Sequence, residues 1–316
     1  MNPIASLVLI RMNGGTAMMR ILGIVGVQVC ICVPIIVFQF CKGKEFFSKE
    51  YWGYALRIGI PIVPHYLSGI ILNQGDRIMI DKMVGKTEVA LYGLAYSIGM
   101  LVQLFISGMN SALTPWMYSK IKKGDIRSMR KVLQLLSIVV VGIAVALMLI
   151  SPELVLIFGS PKYREAVYVI PPVAASVFFI FIYNILSMPQ FYYEKTQFLM
   201  AASMAAAGAN VVLNFIFIRL FGYIAAGYTT LACYMLYSVG HYIVSKRILV
   251  NEGIQENLMN PGFLLACSVF LIGASIICNL IFPYRILRYA ILLASAGLVF
   301  WKKELLLKTM ADIRKK

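Results

Sequence analysis

Residues 60–80 read IPIVPHYLSGIILNQGDRIMI (Ile60–Ile80), a run long and apolar enough to cross a bilayer. It nevertheless carries Pro61, Pro64, His65, the pair Asn73-Gln74 and the adjacent Asp76-Arg77. Polar and ionisable groups at membrane depth are costly, and they mark a surface turned to protein or to a water-filled cavity, not to lipid. On an ideal helix, His65 and Asp76 point within about 20° of each other, roughly 16 Å apart along the axis. Ser68, Gly69 and Asn73 fall in the same half of the wheel. Arg57 joins this stripe only if the kink expected at Pro61 and Pro64 does not rotate it away. Two readings stay open for Asp76 and Arg77: they mark where the helix leaves the membrane, or they face a cavity. His65 sits in mid-span and favours the cavity, although a neighbouring helix could equally satisfy it. Ile62, Tyr66, Leu67 and Ile70 are expected to pack on helices or lipid.

The rest of the chain agrees with a membrane reading. Sixty per cent of the 316 residues are hydrophobic and 13% are charged, with a mean hydropathy of +0.82. Those values describe a polytopic membrane protein and exclude a soluble core. A net charge of +16 would suggest a nucleic-acid partner in a soluble chain. Here the Lys and Arg residues cluster between apolar runs, which is a topology signal. No nucleic-acid partner is expected. The six cysteines (Cys30, Cys32, Cys41, Cys233, Cys267, Cys278) lie mostly inside those runs without C-x-x-C spacing. They read as small core residues, not as disulfides or a metal site.

In order, residues 1–20 look like the end of a preceding helix and an external loop. About nine spans then follow: 21–40, 53–83, 90–119, 132–151, 166–188, 196–218, 223–245, 261–283 and 286–301. The fold class is therefore all-α, a polytopic transmembrane helix bundle. Residues 120–131 (KIKKGDIRSMRK) form the most basic loop between spans, residues 152–165 the longest external one, and a basic tail ends the chain. Ala201, Ala205 and Ala209, at four-residue spacing, suggest a small-residue face for close helix packing. Alternate loops (41–52, 120–131, 189–195, 246–260 and the tail) hold eighteen Lys and Arg against eight on the opposite side. The richer side is expected in the cytoplasm, with the C-terminus inside and the N-terminus outside. An external N-terminus is unusual for an inner-membrane protein and suggests residues upstream.

The run HYLSGIILNQGDRIMIDKMVG…VALYGLAYSIGM…NSALTPWMYSKI, from His65 to Ile121, resembles the oligosaccharide flippases of bacterial polysaccharide synthesis. These belong to the multidrug/oligosaccharidyl-lipid/polysaccharide exporter superfamily. YVIPPVAASVFF, with the FGSPKYREA loop before it, and the basic linker KGKEFFSKEYW add to the resemblance. It implies a two-lobe transporter: residues 21–40 as the last helix of the N-terminal lobe, 41–52 as a cytoplasmic linker, 53–245 as a complete six-helix C-terminal lobe, and 246–316 as an extra helix pair with its tail. About five helices would precede this chain.

The resemblance further implies flipping of lipid-linked oligosaccharide repeat units across the bacterial inner membrane, by lobes that rock about a central cavity. The cargo would be an oligosaccharide on undecaprenyl pyrophosphate, with membrane lipids and polysaccharide-assembly proteins as further partners. Its diphosphate needs cations or donors, for which Arg57, His65, Asn73, Gln74 and Arg77 are candidates. Its sugars need amides, hydroxyls and aromatic faces, for which Gln103, Asn110, Asn184 and several tyrosines are candidates. Position and chemistry single these residues out, not a motif. Two rivals are a cation-coupled exporter of small amphiphiles, with Asp76 as proton or sodium carrier, and an inactive truncated copy. A membrane enzyme acting on the same glycans is disfavoured. No H-E-x-x-H, nucleophile elbow or phosphate loop is visible, and the longest external loop holds only Glu153 and Glu165 as acids. No cofactor is expected.

Overall fold

The computed structural model describes residues 8, 10–11, 17–44 and 47–301. Most of the expected N-terminal remnant, residues 45–46 of the linker and the tail 302–316 lie outside the described residues. The elements are α1 (Ala17–Gly43), α2 (Lys49–Met83), α3 (Lys86–Gly99), α4 (Leu101–Lys122), α5 (Ile126–Phe158), a 3-10 helix (Pro161–Val169), α6 (Ile170–Tyr192), α7 (Thr196–Phe221), α8 (Ile224–Asn251), α9 (Pro261–Ile281) and α10 (Arg285–Trp301). No strand occurs among the described residues. An all-α arrangement follows from the bilayer as solvent, where a helix satisfies every backbone polar group within its own segment.

Seven helical segments are long and apolar enough to cross a membrane, with α3–α4 counted as one and the 3-10 helix with α6 as another. Of the nine expected, α8 and α10 fall outside that set. In α8 the Tyr, Thr, Ser and His residues lower the hydropathy, and Thr229, Thr230, Ser238, His241 and Ser245 are buried. The helix is polar because its polar side faces protein. α10 has 17 residues, short of the about 20 a straight span requires.

The chain divides into two compact units, Met1–Arg57 and Ile58–Lys316. In the first, α1 exposes apolar side chains around its whole circumference, including Val29, Val33, Val37 and Phe38. A helix apolar all round suits lipid. Cys30, Cys32 and Cys41 are exposed there, which corrects their reading as core residues; Cys233 and Cys278 do sit in the core.

The second unit is built on α6. Every residue from Ile170 to Ile182 is buried, and α5, α8 and α9 pack against this helix. Three expectations about the elements change. The span 90–119 is interrupted at Met100, next to Gly99, which lies so close to Val173 that a Cβ would fall 2.6 Å from its Cγ1. The proposed external loop 152–165 is mostly helical: α5 carries Pro152 inside and runs to Phe158, and the 3-10 helix follows from Pro161. Residues 120–131 are likewise mostly helix ends, with Asp125 capping α5 through Ser128 N (3.2 Å).

The small-residue face also turns out differently. Ala201 and Ala205 are exposed, and α7 buries Leu199, Ser203, Ala206, Ala207, Asn210 and Asn214 instead. The buried side is set by where the two asparagines find partners, and alanine, lacking polar atoms, is indifferent to lipid or protein. Prolines 61 and 64 lie inside one continuous helix α2.

Candidate functional site

Helix α2 buries Ser68, Leu72, Asp76 and Ile80, a four-residue spacing that keeps one face towards its neighbours. Ile60, Val63, Tyr66, Leu67, Ile70 and Ile78 are exposed on other sides. The buried face of the polar stripe in residues 60–80 thus turns towards α3, α7 and α8.

Asp76 is fully buried. Its Oδ2 accepts from Tyr92 Oη of α3 (2.5 Å) and Thr230 Oγ1 of α8 (2.7 Å), and its Oδ1 accepts from Asn214 Nδ2 of α7 (2.5 Å). Asn214 is held in turn: its Oδ1 accepts from Thr229, and its Nδ2 also reaches Asn210 Oδ1 at 3.1 Å. Asn210 Nδ2 is buried without a hydrogen-bond partner. Three helices therefore aim neutral donors at one carboxylate. No Lys, Arg or His forms an ion pair with it among the described residues.

Arg77 cannot serve, because consecutive helical residues point about 100° apart. Its guanidinium lies 5.3 Å from the Tyr96 ring centroid and donates to Gln74 Oε1 (2.9 Å). Asn73, one turn before Arg77, accepts from Tyr96 Oη (2.7 Å) and Tyr234 Oη (3.2 Å) and donates to Gly69 O.

Two turns earlier, His65 Nδ1 and Tyr237 Oη share a hydrogen bond at 3.0 Å. His241, the only other histidine of the chain, has its ring centroid 6.5 Å from that of His65. Gln190 Nε2 donates to His241 Nδ1 (2.8 Å), so the proton of the neutral ring lies on Nε2, which is buried and unpartnered. Tyr183 completes an aromatic group, with ring centroids 4.5 Å from Tyr237, 5.8 Å from His241 and 6.2 Å from Tyr234. A cavity of about 170 Å³ opens between α2, α6 and α8, lined by His65, Tyr66, Tyr183, Asn184, Phe191 and Tyr237 among others. Tyr66, expected to pack on helices or lipid, lines it.

Of the residues singled out from the sequence, His65, Asn73 and Asp76 each hydrogen-bond to neighbouring helices, in three groups linked by ring contacts among Tyr92, Tyr96, Tyr183, Tyr234 and Tyr237, and Gln74 pairs with Arg77. Gln103 and Asn110 lie on α4, and their side-chain carbonyl oxygens are buried without partners. Arg57 is exposed and falls in the first unit. Sequence reasoning missed Tyr92, Asn210, Asn214, Thr230 and His241. The available signals were two asparagines four apart in an apolar helix and the pair Thr229-Thr230 at the start of the next.

Residues 4–122 match the family model described as "Polysaccharide biosynthesis protein". The chain is 28% identical over 172 residues to the "Lsg locus putative protein 1" of Haemophilus influenzae, covering 51% of this chain and 41% of that protein. It is 29% identical over 191 residues to an "Uncharacterized membrane protein" of the same organism, covering 56% of this chain and 46% of the relative. The chain therefore spans less than half the length of these curated relatives. No solved structure matches it. The stretch similar to the polysaccharide biosynthesis family model, residues 4–122, carries Asp76 and its partner Tyr92.

Proposed function

We propose that this chain works in a multi-pass transporter that moves oligosaccharide repeat units on undecaprenyl pyrophosphate across the bacterial inner membrane, with Asp76 as the group that carries the coupling cation or proton. One observation carries the reading: a fully buried carboxylate supplied by three neutral donors and no counter-charge. Dipoles from hydroxyls and an amide solvate the carboxylate but leave its charge uncancelled. An uncompensated charge at membrane depth is expensive and is met by a proton or a cation. The oxygen-rich surroundings suit either a proton or a hard monovalent ion.

Asp76 is hydrogen-bonded to α3, α7 and α8 together, so loading it changes the electrostatic balance at a junction of four helices. A bistable junction of this kind can bias the exposure of a cavity to one side or the other. Arg77, half-buried and stacked on Tyr96, offers a guanidinium suited to the diphosphate. On this reading the protein is a transporter and not an enzyme, its C-terminus is cytoplasmic, and its product feeds a cell-surface polysaccharide such as an O-antigen or capsule.

The test uses everted membrane vesicles from cells expressing the protein, with lipid-linked oligosaccharide supplied on the exposed cytoplasmic leaflet. Glycan should move to the lumen in response to an imposed sodium or proton gradient, and Asp76→Asn should abolish the gradient dependence. Gradient-driven movement of small amphiphilic dyes without any glycan movement would reject this reading and select the small-molecule exporter.

A further inference from the structure

We propose that the cavity between His65, Tyr183, Asn184 and Tyr237 is a subsite for one uncharged monosaccharide ring. The proposal rests on the glycan-transport reading and names where a sugar of that cargo sits. The cavity volume, about 170 Å³, is below the roughly 300 Å³ at which drug-sized ligands are usually held. A single sugar ring is the scale of ligand that fits.

The lining has the two components a sugar requires. Tyr183, Tyr237, His65 and Phe191 supply ring faces, whose negative π-clouds attract the weakly positive C–H edges of a pyranose. Around them stand polar groups with unused capacity. The Asn184 amide and the Tyr183 hydroxyl make no hydrogen bond among the described residues. His65 uses Nδ1 on Tyr237 and keeps Nε2 uncommitted. Ser187 Oγ donates to Asn184 O (2.8 Å) and can still accept. A side-chain amide presents an NH2 donor group beside a carbonyl acceptor, matching adjacent sugar hydroxyls better than a cation or an alkyl chain.

No carboxylate, lysine or arginine lines this cavity, so its occupant carries no compensating charge. That sets it apart from the Asp76 cage. The link between them runs through α8, where Tyr234 contacts Asn73 and also lines the cavity.

The two histidines of this chain provide the measurement, since both belong to the aromatic group. The full chain, labelled with 15N-histidine and reconstituted in nanodiscs, gives two imidazole spectra. It is titrated with methyl hexosides, methyl 6-deoxyhexosides and methyl N-acetylhexosaminides, with sorbitol as an acyclic polyol control. The His65 signal should shift saturably with at least one glycoside at millimolar concentration and not with sorbitol. Asn184→Ala should weaken that binding roughly tenfold, the value of about one good hydrogen bond, with the ligand-free spectrum unchanged. No shift with any glycoside, or equal shifts in the Asn184→Ala variant and with sorbitol, would overturn the subsite. Glycan movement in vesicles from the same cells separates the two ideas: movement without any histidine shift removes the subsite and leaves the transport reading intact.

Discussion

Asp76 carries most of the chemical consequence of this structure, and its substitutions should separate packing from charge. Asp76→Ala strands the Tyr92 and Thr230 hydroxyls and the Asn214 amide, three buried donors that lose their acceptor. Each costs roughly 1–3 kcal/mol, so thermal unfolding in detergent should occur several degrees lower. Asp76→Asn keeps the shape, retains one acceptor oxygen and removes the buried charge, so its unfolding temperature should match or exceed that of the parent. A large loss for Asp76→Asn would mean that the charge itself is structural. Arg77→Ala should reduce glycan export without lowering the amount of protein in the membrane, because its guanidinium is held by one hydrogen bond to Gln74 and the Tyr96 face and by no ion pair among the described residues; normal export would reduce Arg77 to an edge residue. How much of this site could be read in advance follows from sequence distance. Asp76, Asn73 and His65 stood out because a polar residue in an apolar run is locally visible. Their partners lie 16 to 172 residues away, and a tyrosine or threonine in a membrane helix looks like any other until a carboxylate is placed against it. Gln103 and Asn110 show the converse: their polarity was equally visible, yet the fold gives them no shared partner with the stripe.

Single elements are held by close approach and by a few strong polar links. At Gly99 an added Cβ would meet the buried, β-branched Val173, whereas Gly108 has nothing within 4 Å. Gly99→Ala should therefore destabilise by about 1–3 kcal/mol, and Gly108→Ala should be neutral or stabilising by up to about 1 kcal/mol. The two unfolding temperatures, measured side by side, check this pair. The tie between α10 and α5 is the Arg288 guanidinium, 3% exposed, which meets both oxygens of Glu153 at 2.8 Å and donates to Leu149 O at 2.6 Å. Glu153 is partly open to solvent, so Arg288→Ala should cost roughly 2 kcal/mol, between a surface and a fully buried pair. Adding Glu153→Leu to an Arg288→Leu variant should restore much of the loss, and a double-mutant cycle without coupling would refute the tie. Element types were legible because hydropathy and helix period are local properties. The helical course through Pro152 and the outward turn of Ala201 and Ala205 were not, since each is decided by a neighbouring helix.

At the scale of the molecule, an all-α membrane bundle was readable from the long continuous apolar runs, which a helix spans with every backbone group satisfied, whereas a barrel strand needs only a short alternating segment. Orientation is an expectation from charge asymmetry. Cysteines introduced at Ser48 and Lys123, in a background without the native cysteines, should react with an impermeant label only from the cytoplasmic side; labelling in intact cells would invert the topology. The larger claim is that lipid-linked glycan crosses the membrane through this protein at the expense of a cation or proton taken up by Asp76. Replacing Asp76 by Asn on the chromosome and quantifying surface polysaccharide, membrane-bound lipid-linked oligosaccharide and the protein itself tests it most directly. The account predicts loss of surface polysaccharide with accumulation of the lipid-linked precursor, at unchanged protein level. Normal surface polysaccharide in cells whose Asp76→Asn protein is present at the parental amount would contradict it.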